Sequence, residues 1–574
     1  MSFLTRLRRP RADNAGADNA PTDNAPTGKA PTDDVVGHRK KRPVIAWATA
    51  VLAFLLVLFA LLAPNRLGNL TPLAFVRIPV EGLLGVALVL VLPARARPVV
   101  AVIAGLVLGV LTILKIVDMG FYEVLVRPFD PVLDWPLLGA AVEFVRLSYG
   151  RAGAIGAVLG VVLLVVAVLV LMALSVLRLT RLVESRRTTA IRTAAVLAVV
   201  WVACAALGLH LVPRTPIAAH SAATLTYDRA LQVRAGLRDQ QAFAAESAVD
   251  AFRDTPGNRL LTALRGKDVV ISFIESYGRS AIEDPAYAPD VDAVLDAGTR
   301  RLAAAGYASR SGFLTSPTAG GGSWLAHSTL LSGLWIDNQQ RYSNLVASDR
   351  LTLTRAFGQA GWRTVAVMPE TTRAWPEGAF YGYDRVYTAD NLGYHGPGFG
   401  FATMPDQYTL SAFERSEHAT PGRPPLMAEI PLISSHIPWT PVPRLINWKD
   451  VGDGSAFDPM VTKAGAGNPM LRDPAQIRAD YRRTIEYTLH SLISYLETYG
   501  NDNLVLVFLG DHQPAPIITG DDASRDVPIT IVARDRAVLD RISGWGWDDG
   551  LKPGPHAPVW PMSAFRDRFL TAFS

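Results

Sequence analysis

The sequence predicts a multi-pass α-helical membrane domain of five spans followed by an α/β domain with a mainly parallel sheet. Three observations carry this expectation. Mean hydropathy is +0.21 over 574 residues with only 19% charged side chains; long apolar runs are confined to the chain before residue 213; and beyond residue 260 β-branched apolar runs alternate with helical patterns. A charged share below the ~25% usual for soluble proteins argues against a wholly soluble enzyme, and an apolar share of 49% argues against a disordered chain. The net charge is +5, and residues 1–42 supply most of it, so the folded remainder is near neutral and no nucleic-acid partner is implied. The single cysteine, Cys204, allows neither an intrachain disulfide nor a Cys-based zinc site.

Residues 1–43 form the first segment. Its Asp-Asn-Ala and Ala-Pro-Thr repeats have almost nothing to bury and predict a disordered, basic cytoplasmic tail ending in His38-Arg39-Lys40-Lys41-Arg42. Apolar runs at about 44–63, 72–92, 98–117, 153–177 and 193–211 are each long enough for a ~30 Å hydrocarbon core and make residues 44–212 a five-helix domain. Arg95 and Arg97 lie between the second and third runs, and Arg178, Arg181, Arg186, Arg187 and Arg192 between the fourth and fifth. These loops alternate with less basic ones, so the positive-inside rule puts the N-terminus in the cytoplasm and everything past the fifth run outside. Arg77 and Glu81, four apart, would share a helix face as an internal ion pair or a lipid headgroup site. Residues 118–150, with Tyr122, Phe129, Trp135 and Phe144, read as interfacial amphipathic structure or a surface connector.

Residues 213–259 are polar, helical and Ala-rich, as a connector would be, and residues 260–574 form the extracytoplasmic domain. Strand-like runs at 268–274, 361–368, 425–433, 503–509 and 527–533 alternate with helical patterns at 290–305, 351–360 and 475–499. This alternation predicts a sheet covered on both faces, with function at the carboxyl ends of the strands. Glu275 closes the first run, His436 follows the third after Ser434-Ser435, and Asp511 and His512 follow the fourth after Gly510. Each alone has a structural explanation, a cap, a turn or a backbone hydrogen bond. Together, at equivalent strand ends, they form a donor set for a divalent cation, Mn²⁺ or Zn²⁺.

A hydroxyl to join them is expected from Thr315-Ser-Pro-Thr-Ala-Gly-Gly-Gly-Ser-Trp-Leu-Ala-His-Ser-Thr-Leu-Leu-Ser-Gly333. Three glycines allow close backbone approach to an anion, and Ser323 opens a helix, where N–H groups and the macrodipole favour an alkoxide or phosphate. The plainer alternative is that Ser323 is only an N-cap.

The order Ile-Glu-Ser, a hydroxyl opening a helix that ends Leu-Leu-Ser-Gly, Ser-His-Ile-Pro-Trp-Thr and Phe-Leu-Gly-Asp-His resembles the alkaline-phosphatase/sulfatase superfamily, over roughly residues 260–540. With five preceding spans, the chain looks like a membrane-anchored lipoteichoic-acid-synthase-like (sulfatase-like) protein and, more loosely, a phosphoethanolamine transferase. The resemblance implies that Glu275, Ser323, Asp511 and His512 are metal ligands, that Ser323 is the nucleophile and that His436 contacts substrate phosphate or a second metal. By the same likeness Arg373, Trp375 and Tyr487 fall near the headgroup-binding stretch, and His327 is expected at substrate or at a second metal. The implied cofactor is Mn²⁺ or Zn²⁺, with Mg²⁺ as an alternative. Ser323-Trp-Leu-Ala-His327 lacks the Pro and Arg that formylglycine sulfatases carry after the nucleophile, and Ser323 stands where the synthases have Thr. His395, His418, His490 and His556 are assigned surface or structural places, with His556 the strongest exception.

The implied activity is metal-dependent transfer of a phospho-headgroup. The donor would be a membrane phospholipid, the intermediate covalent on Ser323, and the acceptor a cell-envelope polymer, glycan or lipid. Two alternatives stand beside it: a phosphodiesterase or sulfatase using water as acceptor, and a non-catalytic homologue.

Overall fold

The computed structural model describes residues 41–212, 215–462 and 472–574, so residues 1–40 of the expected tail lie outside the described residues. The described residues fall into two units, divided between Leu52 and Ala53. The first holds the beginning of helix α1 (Lys41–Leu62), and all the other elements belong to the second.

Among the described residues, four helices are long and apolar enough to cross a membrane: α1 over Val44–Leu62, α3 (Arg97–Leu125), α4 (Trp135–Ser185) over Tyr149–Ser185, and α5 (Arg187–Ala206). The expected second span differs. Pro72 and Pro79 interrupt the backbone ladder, so residues 72–92 divide into a 3₁₀ turn, a two-residue strand Ile78–Pro79 and helix α2 (Val80–Val91). Twelve residues make α2 about 18 Å long, shorter than the hydrocarbon core. Because the helix starts at Val80, Arg77 and Glu81 share no face and do not pair. Arg77 donates to the carbonyls of Ala74 and Leu62 (2.8 Å each), and Glu81 accepts from the Ala223 N–H at 2.9 Å.

The segment after α3 is tied down by charge. Arg127 forms a bidentate pair with Asp134 at 2.6 and 2.7 Å, and buried Asp118 accepts from Phe129 N–H and pairs with Arg229. Arg229 lies on α6 (Ser221–Ala248), whose later part enters the C-terminal domain through fully buried Phe243 and the Asp239–Arg341 pair.

That domain is built on a nine-stranded sheet. Its strands are β1 (Asp268–Ile274), β2 (Ala308–Thr315), β3 (Arg363–Met368), β4 (Arg385–Thr388), β5 (Leu426–Leu432), β6 (Leu504–Gly510), β7 (Asp526–Ala533), β8 (Asp548–Asp549) and β9 (Val559–Pro561). The order is β8-β2-β7-β6-β1-β5-β3-β4, with β9 beside β2. Strands β6, β1, β5, β3 and β4 are mutually parallel, and β7 runs against both β6 and β2. Two reversals restore direction, so β2 points the same way as β6. The carboxyl ends of β1, β2, β3, β5 and β6 therefore meet at one edge. The central strands are buried throughout, as their continuous Val/Ile/Leu runs require. Helices α7 (Ala288–Ala304) and α9 (Pro474–Tyr499) cover one face, and α8 (Ser323–Ser332) packs on the other.

Candidate active site

Sheet register sets the first distances of the site. Gly510 pairs with Ile274 and Ile274 with Leu432, so Glu275 and Asp511 leave adjacent strands side by side. Gly510 permits this approach, since a Cβ there would meet the Tyr277 carbonyl oxygen at 1.8 Å. The Asp511 carboxylate is aimed by two backbone donors on one oxygen, the N–H of Ser276 (2.8 Å) and of His512 (2.7 Å). His512 donates its Nδ1–H to the Gln513 carbonyl at 2.9 Å, which leaves the Nε2 lone pair facing the two carboxylates, where it could hold a cation. Glu275 accepts from the Ser276 hydroxyl at 2.7 Å, and Ser276 holds a left-handed φ of 58° at the strand end.

The loop after β2 brings in Ser323. Gly320, Gly321 and Gly322 have φ of 75°, 157° and 84°, which residues with a Cβ rarely adopt. Gly322 occupies the N-cap of α8, so the Ser323 hydroxyl is not spent on capping. It donates to Glu275 Oε2 at 2.9 Å and lies 3.2 Å from His512 Nε2. The same loop is seated on the end of α3, where a Cβ on Gly320 would lie 1.6 Å from the Val124 carbonyl oxygen.

Ligand atoms of Glu275, Asp511 and His512, all buried, lie within 4.8 Å of one another, and His512 Nε2 is 3.5 Å from an oxygen of each carboxylate. Four ligands about 2.1 Å from one tetrahedral ion would be about 3.4 Å apart. Electrostatics agree. Burial pushes both carboxyls up, but the charges of His512 and His436 and the Ser276 hydroxyl hold Glu275 down at about 2, while burial and the facing Glu275 push Asp511 up to about 7. Two carboxylates pressed together this way fit a divalent cation.

A cavity of about 600 Å³ opens in front of the hydroxyl, lined by Ser323, His327, Arg373, Trp375 and His436 among others. His436 donates Nδ1–H to the Ile437 carbonyl at 2.6 Å, and its ring stacks on Phe401 at 4.1 Å. His327 stacks on Phe273 at 3.8 Å, with Nδ1 3.2 Å from Glu429. Burial lowers the His327 pKa, but Glu429 and the nearby acids outweigh it and hold the imidazole above its ordinary value. Trp375 stacks with Tyr381 at 5.7 Å. Tyr487 is not among the cavity residues: it is buried, its hydroxyl accepting from Gln407 N–H at 3.2 Å. His556 is exposed and lines no part of the cavity.

Sequence reasoning missed Glu370, Glu429, Tyr383 and Glu143, all of which line the cavity. Glu370 follows β3 as Glu275 follows β1, and Glu429 is an acid inside an apolar strand, so both signals were there to be read. Burial pushes the Glu370 carboxyl up to about 7. Glu143 gives no such signal, because it belongs to the first segment of α4, in the membrane half of the sequence.

No protein-family model and no curated protein matches the chain. Among solved structures, the C-terminal periplasmic domain of EcEptC from Escherichia coli in complex with Zn matches 54% of this chain and 83% of that one, at 15% identity and a TM-score of 0.37. The Streptococcus pyogenes phosphoglycerol transferase GacH in complex with sn-glycerol-1-phosphate matches 58% and 91%, at 13% identity and a TM-score of 0.35. The lipoteichoic acid synthase LtaP from Listeria monocytogenes matches 53% and 71%, at 14% identity and a TM-score of 0.35. Likeness this distant carries no weight for the chemistry, which rests on this chain's own side chains. In fold, the C-terminal domain is similar to the domains of these proteins.

Proposed function

We propose that the chain is a membrane-anchored, metal-dependent phosphotransferase of the alkaline-phosphatase/sulfatase-like type. It moves a phospho-headgroup from a membrane phospholipid, through a covalent intermediate on Ser323, to a cell-envelope acceptor. The observation that carries this reading is a hydroxyl at a helix N-terminus, bonded within a two-carboxylate, one-imidazole cluster, on a loop seated against a membrane helix.

Mn²⁺ or Zn²⁺ held by Glu275, Asp511, His512 and the Ser323 oxygen would lower the hydroxyl pKa and neutralise phosphoryl charge. Ser323 Oγ, its proton directed at Glu275 Oε2, attacks phosphorus. The new Oγ–P bond replaces the P–O bond to diacylglycerol, whose oxygen leaves with the electron pair and takes up a proton. The N-terminal end of α8 favours the resulting phosphoryl charge. Arg373 offers its guanidinium to the non-bridging oxygens, and His436, fixed by Ile437 and Phe401, faces the same space. An acceptor hydroxyl then attacks phosphorus; its new O–P bond replaces the Oγ–P bond, and the proton it gives up is balanced by the one that Ser323 Oγ takes on leaving.

Five crossings, with the N-terminus in the cytoplasm and the catalytic domain outside, belong to the same reading. Short α2 runs from Glu81, which bonds Ala223, to Leu90, whose carbonyl accepts from Arg187 at 3.3 Å, and Arg97 pairs with Glu184 at that basic end. The test is diacylglycerol release from labelled phosphatidylglycerol by full-length protein in liposomes with Mn²⁺. Release that requires Ser323 and passes label to a non-water acceptor supports transfer; label ending as free glycerol phosphate makes the protein a hydrolase.

A further inference from the structure

We infer that the helical segment Trp135–Tyr149 lies in the lipid–water interface and forms the membrane-side wall of the active-site cavity, so that a lipid phosphodiester reaches Ser323 along it from the bilayer. The inference rests on the phospholipid-donor reading for what travels the route, but the placement of the wall stands on its own observations.

The segment's position follows from the chain. Gly150, at φ 73° and ψ 177°, breaks α4 between this segment and the apolar span that runs to Ser185. A helix that ends where a span begins sits at the depth where the span leaves the hydrocarbon. Among its described side chains the exposed large apolar ones are Trp135, Leu138, Val142 and Tyr149, with Trp135 60% exposed, and exposed Arg146 lies at the edge of the same face, where a long basic side chain can reach the headgroup layer. At 100° per residue these fall on one stripe, and an apolar stripe with Trp and Tyr at its two ends is what the interface selects.

The other side of the helix belongs to the active site. Phe144, nearly half a turn away from the stripe, stacks on Phe401 with ring centres 6.2 Å apart, and Phe401 stacks on His436. Glu143 lines the same cavity as Ser323 and Arg373, its carboxylate held by Arg146 at 2.7 Å. One short helix therefore presents apolar side chains outward and, inward, Glu143 on the cavity wall and Phe144 behind the cavity residue Phe401. From a second direction, the seat of Gly320 on the end of α3 also brings the nucleophile loop to the end of the bundle. The bilayer is the occupant that continuity with the span requires, and it delivers a donor headgroup to the cavity without removing its acyl chains from lipid.

The test uses the full chain in phosphatidylglycerol/phosphatidylcholine liposomes. Cys204 is the only cysteine, so Val142→Cys in a Cys204→Ala background takes a single spin label, with a label at Val559 as the aqueous reference. The expected result is a Val142 label several-fold more accessible to oxygen than to a water-soluble nickel chelate, relative to the Val559 label. Nickel accessibility equal to that of Val559, or strong coupling between labels on two copies, would overturn the inference by showing water or protein on this face. In addition, Leu138→Glu/Val142→Glu should lower turnover of vesicle phospholipid at least tenfold while leaving hydrolysis of bis(4-nitrophenyl) phosphate within twofold of wild type. Parallel loss of both activities, or loss of neither, would overturn it as well. A wild-type protein that turns over no phospholipid refutes the donor reading, and the label at Val142 still decides the wall.

Discussion

Replacing Gly320 by alanine should separate the loop that carries Ser323, the proposed nucleophile, from its seat on the end of α3. A Cβ at this position would lie 1.6 Å from the Val124 carbonyl oxygen, whereas carbon and carbonyl oxygen settle at about 3.3 Å or beyond. One of the two backbones must therefore retreat by about 1.7 Å or more. The left-handed φ of 75° adds about 1 kcal/mol of strain for any residue with a Cβ. Ser323 follows three residues later, and misplacing a reacting group by about 1 Å can lower a rate about 100-fold, a barrier increase of about 2.7 kcal/mol. Diacylglycerol release at saturating Mn²⁺ should thus fall about 100-fold, while the domain stays folded with the thermal midpoint lowered by a few degrees. Gly361→Ala is the control: its φ is 94° with open space around the missing Cβ, so it carries the conformational cost without the collision and should keep full turnover. A Gly320→Ala protein within threefold of wild type, or a Gly361→Ala protein equally impaired, would refute the argument that the seat on α3 positions the nucleophile.

Metal removal should destabilise the C-terminal domain: a cation at 100 times its Kd contributes about 2.7 kcal/mol, and differential scanning fluorimetry should show that increment in wild type and its absence in Asp511→Asn. Burial pushes the Asp406 carboxyl from 3.8 up to about 6, so the folded chain binds this proton more tightly than the unfolded one and stability falls as pH rises between those values. The loss is about 3 kcal/mol by pH 7, and Asp406→Asn should gain thermal stability over wild type at pH 7 but lose that advantage near pH 4. Arg566, fully buried, pairs with fully buried Asp250, which Arg350 also approaches at 3.4 Å. Arg566→Met leaves that carboxylate short of charge and should cost about 3 to 5 kcal/mol in denaturant unfolding, with metal affinity of the folded fraction unchanged.

The parallel core of the fold was legible because its strands are buried on both faces. The runs expected at 268–274, 361–368, 425–433, 503–509 and 527–533 correspond to β1, β3, β5, β6 and β7. Strand β2 was not legible: Ala308-Ser-Arg-Ser-Gly is polar, and it becomes a strand through its pairing with β7, which also turns an expected parallel neighbour into an antiparallel one. At the candidate site, Glu275, Asp511 and His512 could be read because strand ends place residues independently of loop conformation. Ser323 was readable from its glycines, although its freedom from capping required the observed φ of Gly322. Glu143 was not readable, since nothing local in the first segment of α4 says that it reaches a cavity built more than a hundred residues later. The shortness of the helix within residues 72–92 was not legible, because an average over apolar residues does not register what Pro72 and Pro79 do to a helix.

The most direct test of the central claim is mass spectrometry of the Ser323-containing peptide from full-length protein, quenched during turnover of phosphatidylglycerol in Mn²⁺-supplied liposomes. The account predicts a glycerophosphate addition on Ser323, absent without Mn²⁺ and discharged when acceptor is supplied. Sustained diacylglycerol release with no addition on that peptide, and with Ser323→Ala as active as wild type, would contradict it.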